Sequence, residues 1–210
     1  MIITVSRMFG SGGSEVAARV ARHLGWQLLD NAVVDAVAER LGVSRAEVSS
    51  LEERVPSLSE RIVSTLRMST PEFVMPVADA SLTETAEMRI VDVTKRVIEE
   101  AVQQGNAVLV GRGAQCMLAD RPDALHVFCY AAMPALVEYA IAHRGVNPAN
   151  AEHEVEKMNR QREQYVKRNW GRDWKAFENY HLCLDTGRLG IDTAANVVAA
   201  AARERFSLPA

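Results

Sequence analysis

The stretch Ser6-Arg7-Met8-Phe9-Gly10-Ser11-Gly12-Gly13-Ser14 has the residue types of an anion-gripping loop. The relevant pattern is G-x-x-x-x-G-K-[ST], in which backbone N–H groups cradle phosphates, the lysine neutralises them and the hydroxyl reaches Mg²⁺. Aligned on Ser14, Gly12 matches the second glycine. Gly13 stands at the lysine position and Arg7 at the first glycine. The amides of Gly10, Ser11, Gly12, Gly13 and Ser14 can still converge on an anion at a helix N-terminus. Ser14 remains a candidate Mg²⁺ ligand, and Arg7 is a candidate for the cation that Gly13 cannot supply. A dinucleotide fingerprint, G-x-G-x-x-G, fits by half: Gly10 and Gly12 match, its third glycine falls on Glu15, and Asp30 lies where a ribose-binding acid belongs. A tight strand-to-helix turn would need the same small residues, so all three readings stand on the loop alone.

Further cations follow other apolar runs. Arg112 lies between Gly111 and Gly113, directly after Ala107-Val108-Leu109-Val110. An arginine at a strand end suits bidentate phosphate binding, or is merely solvated in a turn. Residues 149–168 carry Lys157, Arg160, Arg162, Lys167 and Arg168. Arg160, Gln164 and Arg168 share one helical face by spacing. Phosphoryl transfer is met by arginines from mobile elements, and a solvated surface helix accounts equally well for a segment with Glu152, Glu154, Glu156 and Glu163 interleaved. Asp185 and Arg188 follow a fifth apolar run, placed to touch a nucleotide base; Asp185 is also well suited to cap the next turn. His23, His126, His143, His153 and His181 make no metal-ligand spacing with Cys116, Cys129 and Cys183, and no hydrolase elbow or metalloprotease motif occurs.

These residues must be positioned by alternating elements. Strands are expected at 1–5, 26–29, 107–111, 124–130 and 181–186. Ser14 is expected to cap a helix whose apolar face is Val16, Ala17, Val20, Ala21 and Leu24, ended by Gly25. Asn31 opens a helix stopping at Gly42. Ser44 with Glu47, and Ser57 with Glu60, read as capping boxes, and 69–76, with two prolines, reads as a loop. Further helices are expected from Thr83 to Gln104, Met133 to Arg144, 149–168 and 192–205, with Trp170 and Trp174 anchoring a loop. Strand–helix alternation means a parallel sheet covered on both faces.

The bulk properties limit the partners. The chain has 210 residues, 48% hydrophobic and 24% charged, with net charge −3. One domain is expected, with helical excursions at 31–104 and 149–170. The slight acidity argues against nucleic-acid binding. No apolar run approaches the ~18 residues of a membrane span. Three scattered cysteines and no export signal point to the cytoplasm.

Taken together, ITVSRMFGSGGSEVA, LLDNAVVDAVAERLGV, VLVGRGAQCMLADRPDALHVFCYA, the charged helix running into NWGRDW, and ENYHLCLDTGRLGID resemble the cytidylate kinase-like family, in order and over nearly the whole chain. The resemblance implies an α/β three-layer sandwich of the P-loop kinase type, with a five-stranded parallel sheet in the order 2-3-1-4-5. It implies ATP and Mg²⁺ as cofactors, transfer of a phosphoryl group to CMP, dCMP or a related small molecule, and nucleotides as partners, with a homodimer left open. Gly10 to Ser14 would hold donor phosphates. Asp30 and Arg112 would face the acceptor, Arg160 and Arg162 would belong to a lid, and Asp185 and Arg188 to the donor-base loop. Cytidylate kinases keep the loop lysine, whereas the kinase-like group carries S-R-x-x-G-S-G-G, so Gly13 is typical of it. The chain departs from the group in Ser14, where Arg is frequent, and in having no arginine in Ala135-Leu136-Val137-Glu138-Tyr139, and from cytidylate kinases in Gly113 at the third position of their GRD. Fewer cations then face the transferred group, and a nucleotide-binding regulator without turnover is the rival reading.

Overall fold

The computed structural model describes residues 1–42, 44 and 80–209. Its strands are β1 (Ile2–Arg7), β2 (Gln27–Leu29), β3 (Ala107–Val110), β4 (Ala124–Tyr130) and β5 (Leu182–Asp185). Its helices are α1 (Gly13–Leu24), α2 (Asn31–Leu41), α3 (Ala80–Gln103), α4 (Ala114–Met117), α5 (Met133–Arg144), α6 (Ala151–Trp170), α7 (Thr186–Leu189) and α8 (Ile191–Phe206). All strand pairs are parallel, in the order β2-β3-β1-β4-β5. Central β1 sets Val5 beside Val110 on one side and Val127 on the other.

Burial on both faces explains why the strands read as apolar runs without polar alternation. Successive side chains still point to opposite faces. Ile3, Val5, Val108, Val110, Leu125 and Val127 pack against Val16 and Val20 of α1 and Ala194, Val198 and Ala202 of α8. The other face carries Phe128, which packs with Val166, Trp174 and Tyr180. Leu136, Ala140 and Val155 extend that layer between α5 and α6.

The chain forms two compact units, residues 1–30 with 100–210 and residues 31–99. The first holds the whole sheet. In the second, Val33 and Val37 of α2 and Val91 and Ile98 of α3 are buried. The expected partners of the capping boxes (Glu47, Ser57, Glu60) and the 69–76 loop lie outside the described residues.

Two local expectations change. Ser14 does not cap α1: the N-cap is Gly12, at φ 69°, with no side-chain cap, so Ser14 lies inside the first turn. The charged helix starts at Ala151, after a 3₁₀ turn at Pro148–Asn150, and runs on to Trp170. Trp170 therefore ends a helix rather than sitting in a loop.

Candidate functional site

β1 delivers the chain to the carboxyl edge of the sheet, and the loop from Met8 to Gly12 turns it back into α1. The turn is closed by Met8 N–H to Cys129 O (2.9 Å) and Ser11 N–H to Met8 O (3.2 Å). Gly10 and Gly12 have φ 85° and 69°, where a Cβ is disfavoured. Space is also lacking. A Cβ on Gly10 would run into the Leu136 carbonyl of α5, and one on Gly12 would stand 2.7 Å from Ile191 Cδ1. The loop is thus pressed between α5 and the start of α8. Among the described residues, the amides of Gly10, Gly12, Gly13, Ser14 and Glu15 meet no acceptor, while Val16 N–H turns inward to Gly12 O at 3.0 Å. Unpaired N–H groups at the positive end of a twelve-residue helix attract an anion.

The absent lysine has a steric counterpart. Gly13 is an ordinary helical residue, yet a Cβ there would stand 3.0 Å from Cys129 Cβ and would collide with the Cβ of Arg7. Arg7 has taken the volume into which a side chain at position 13 would project. The large cationic residue and the glycine have exchanged places relative to the G-x-x-x-x-G-K pattern. The Cys129 thiol beneath them is pushed up to about 12 by burial, the Arg7 charge opposing the shift. It stays protonated.

Side chains from distant elements fasten the loop. Ser11 is buried, and its hydroxyl donates to Met8 O at 2.8 Å. The buried Thr186 hydroxyl lies 2.7 Å from Ser11 O and 3.0 Å from Tyr130 O, tying the loop to the ends of β4 and β5. On α6, Asn159 Oδ1 accepts from Phe9 N–H at 2.7 Å and Arg162 Nη1 donates to Arg7 O at 2.9 Å. The Arg162 guanidinium also lies over the Phe9 ring, 5.8 Å from its centroid.

Arg112 is buried and has φ 58°, between Gly111 at 72° and Gly113 at 67°. Left-handed backbone costs a non-glycine residue about 1–2 kcal/mol. Such strain concentrates where a side chain's position matters. A Cβ on Gly113 would enter the Trp170 ring, so the turn after β3 is also packed against the end of α6.

On the opposite side of the loop is a cleft of about 480 Å³, lined by Gly10, Ser11, Ala135, Tyr139, Thr186, Gly187, Ile191 and others. Tyr139 stacks on His143, with centroids 4.2 Å apart. Burial, with Glu15 nearby, raises the Tyr139 phenol above its usual range. The ion pair Arg19–Asp192 (2.8 Å) lines the cleft, and Arg144 pairs with Glu15 at 2.8 Å. Glu15 is thereby joined to Arg144.

A family model for the cytidylate kinase-like family matches residues 2–188. The chain belongs to the cytidylate kinase-like family. A search of curated proteins finds no match. Among solved structures, a protein of Eubacterium ventriosum superposes with TM-score 0.63 at 21% identity, covering 96% of this chain and 98% of that one. Deoxyadenosine kinase from M. mycoides, solved with dCMP and dCDP, gives 0.52 at 10% identity, covering 97% and 100%. Shikimate kinase from Acinetobacter baumannii, in complex with shikimate, gives 0.50 at 13%, covering 98% and 93%. These likenesses identify the P-loop kinase fold, with the sheet order 2-3-1-4-5 expected from the sequence.

Within this cytidylate kinase-like chain, Arg7, Gly10 to Ser14 and Arg162 come together at the loop, and Arg112 follows neighbouring β3. Asp30 follows β2. Arg160, Gln164 and Arg168 lie on the exposed face of α6, and its buried face is Val155, Asn159, Arg162 and Val166. Asp185 caps α7, its Oδ1 accepting from Arg188 N–H at 3.2 Å. The Arg188 side chain is 89% exposed, 3.6 Å from Asp185 Oδ2. Thr186 and Asn159 were missed by sequence reasoning. The signal for Asn159 was present: positions 155, 159, 162 and 166 have core spacing, and the middle two are polar.

Proposed function

We propose that the protein transfers the γ-phosphoryl group of ATP to a nucleoside monophosphate, most simply CMP or dCMP. The observation that supports this reading is the set of amides of Gly10, Gly12, Gly13, Ser14 and Glu15 that meet no acceptor among the described residues, on a loop whose lysine volume is filled by Arg7. The α/β fold places ligands at the carboxyl ends of its strands where the strand order reverses. The loop after β1 is that place. The β4–β5 side offers the cleft beside Tyr139 and Gly187 for the donor base, and the β3–β2 side offers Arg112 and Asp30 to the acceptor. In the transfer, an acceptor phosphate oxygen forms a bond to the γ-phosphorus as the bond from phosphorus to the β–γ bridging oxygen breaks. ADP leaves with the electron pair. Arg7, with Arg112 and Arg162, neutralises charge spread over the equatorial oxygens, and positioning supplies the remainder of the rate. The Ser14 hydroxyl, in the first turn of α1, would hold Mg²⁺ together with phosphate oxygens.

The rival reading, a regulator that binds nucleotide without turnover, is favoured by Gly13 itself, since that position supplies no ammonium beside the β- and γ-phosphates. One experiment separates them. The protein is titrated calorimetrically with ATP and Mg²⁺, then incubated with ATP and CMP, dCMP, UMP, AMP or GMP while ADP is quantified by chromatography. Binding with ADP formed from one monophosphate supports the kinase. Binding with no ADP from any acceptor leaves the regulator. No heat and no thermal stabilisation by ATP, ADP or phosphate removes both.

A further inference from the structure

The buried stripe of α6 joins two apolar clusters. Val155 packs with Leu136 and Ala140, and Val166 with Phe128 and Trp174, while Met8 borders both. Between them the stripe turns polar at Asn159 and Arg162, opposite the loop. Asn159 is only 4% exposed. Its carboxamide has a fixed orientation: Phe9 N–H, 2.7 Å away, is a donor, so the oxygen must face it. The amide nitrogen Nδ2 is therefore turned away from Phe9 N–H, buried, and among the described residues has no acceptor. By the size of a carboxamide it lies within about 5 Å of Phe9 N. Gly10 N–H, the next amide along the loop, meets no acceptor among the described residues either. Buried donors are nearly always satisfied. An apolar side chain would complete the stripe without leaving such a donor.

We propose that Asn159 contacts substrate. Its Oδ1 holds Phe9 in place, and its Nδ2–H donates to an oxygen of the terminal phosphoryl group of a nucleoside triphosphate bound on the loop. The inference rests on the triphosphate reading above and extends it. A diphosphate leaves Nδ2 unmet, so Asn159 favours ATP over ADP and releases the product once the γ-group has gone. Arg162, bound to Arg7 O and lying over Phe9, keeps α6 against the loop when position 159 is changed.

Asn159→Asp keeps the shape and the acceptor for Phe9 but turns the spare donor into an acceptor. Asn159→Ala removes both. Dissociation constants of ATP and ADP with Mg²⁺ are measured by calorimetry for the parent and both variants, with melting temperatures alongside. The expected result is a fall in the ATP-over-ADP preference of about tenfold or more in Asn159→Asp and several-fold in Asn159→Ala, the ADP constants moving less. A preference unchanged in a folded variant overturns the inference and leaves the kinase reading intact. Failure of the parent to bind either nucleotide overturns both. Should neither variant fold, a crystal structure of the unmodified protein with a non-hydrolysable ATP analogue decides: Nδ2 within 3.2 Å of a terminal phosphoryl oxygen supports the contact, and a distance beyond about 4 Å refutes it.

Discussion

At the scale of single residues, the exchange of Arg7 and Gly13 has the most direct consequences. Restoring lysine at position 13 alone is predicted to harm the protein, because its Cβ would collide with the Arg7 stem. Overpacking of this kind costs about 1–3 kcal/mol. Gly13→Lys should therefore melt several degrees below the parent. Arg7→Gly combined with Gly13→Lys clears the space and rebuilds the ordinary loop. The double variant should regain most of the lost melting temperature and bind ATP, whereas Arg7→Ala alone should weaken ATP by about one to two decades, the worth of a charge-assisted contact of ~1.5–3 kcal/mol. Differential scanning fluorimetry with calorimetry checks each point. A double variant no more stable than Gly13→Lys would refute the exchange.

At the scale of elements, the loop depends on what other segments offer it. Thr186, at the start of α7, holds Ser11 O and Tyr130 O through one hydroxyl. Thr186→Val keeps the shape and strands those carbonyls, at about 1–2 kcal/mol. For a chain of this size the melting temperature should fall by about 3–6 °C. ATP affinity should fall by less than tenfold, since no atom touching the phosphates is removed. A larger loss of affinity than of stability would mean that the hydroxyl touches the ligand itself. α6 illustrates the same dependence: its charges, Arg160 and Arg162 among them, suggested a lid, and the helix is packed through Asn159 and Arg162 onto the loop.

At the scale of the whole molecule, a pH response is built into the centre of the sheet. His126 on β4 is buried opposite Thr4 of β1, with Nδ1 and Oγ1 2.8 Å apart, and its ring stacks on His181 at 5.0 Å. Burial lowers its pKa to about 4, and the neighbouring His181, Arg205 and Arg172 push the same way. His181 is lowered too, by burial and Arg205. An unfolded histidine titrates near 6.5, so between about 4 and 6.5 the unfolded chain binds more protons than the folded one. The stability from the neutral ring is present above pH 6.5 and is lost as pH falls through that window. The loss at pH 4 should be on the order of 2 kcal/mol once residual solvation is allowed for. Urea unfolding of the parent and of His126→Leu at pH 7.5 and 4.5 tests it: the variant's curve should flatten, and equal slopes would count against this histidine.

Strand and helix order, the parallel sheet and the glycine loop were legible in the sequence. Fully buried strands leave uninterrupted apolar runs, and a strand-to-helix turn with positive φ leaves glycines. Met133–Arg144 was expected with its observed limits, because Pro134 and Gly145 mark its ends. Local pattern also singled out Arg7, Gly10 to Ser14 and Arg112 as candidates. On α6 the charges alone did not separate Arg162 from Arg160 and Arg168; the core spacing of Val155, Asn159, Arg162 and Val166 carried that signal, and packing against Phe9 and Met8 made it visible. Nor could local pattern show that Gly13 is empty because Arg7 fills its space, or that Thr186 reaches Ser11 across 175 positions. Those facts arise where chain segments far apart in sequence meet at one sheet edge, and contact at that distance leaves no periodicity in the sequence.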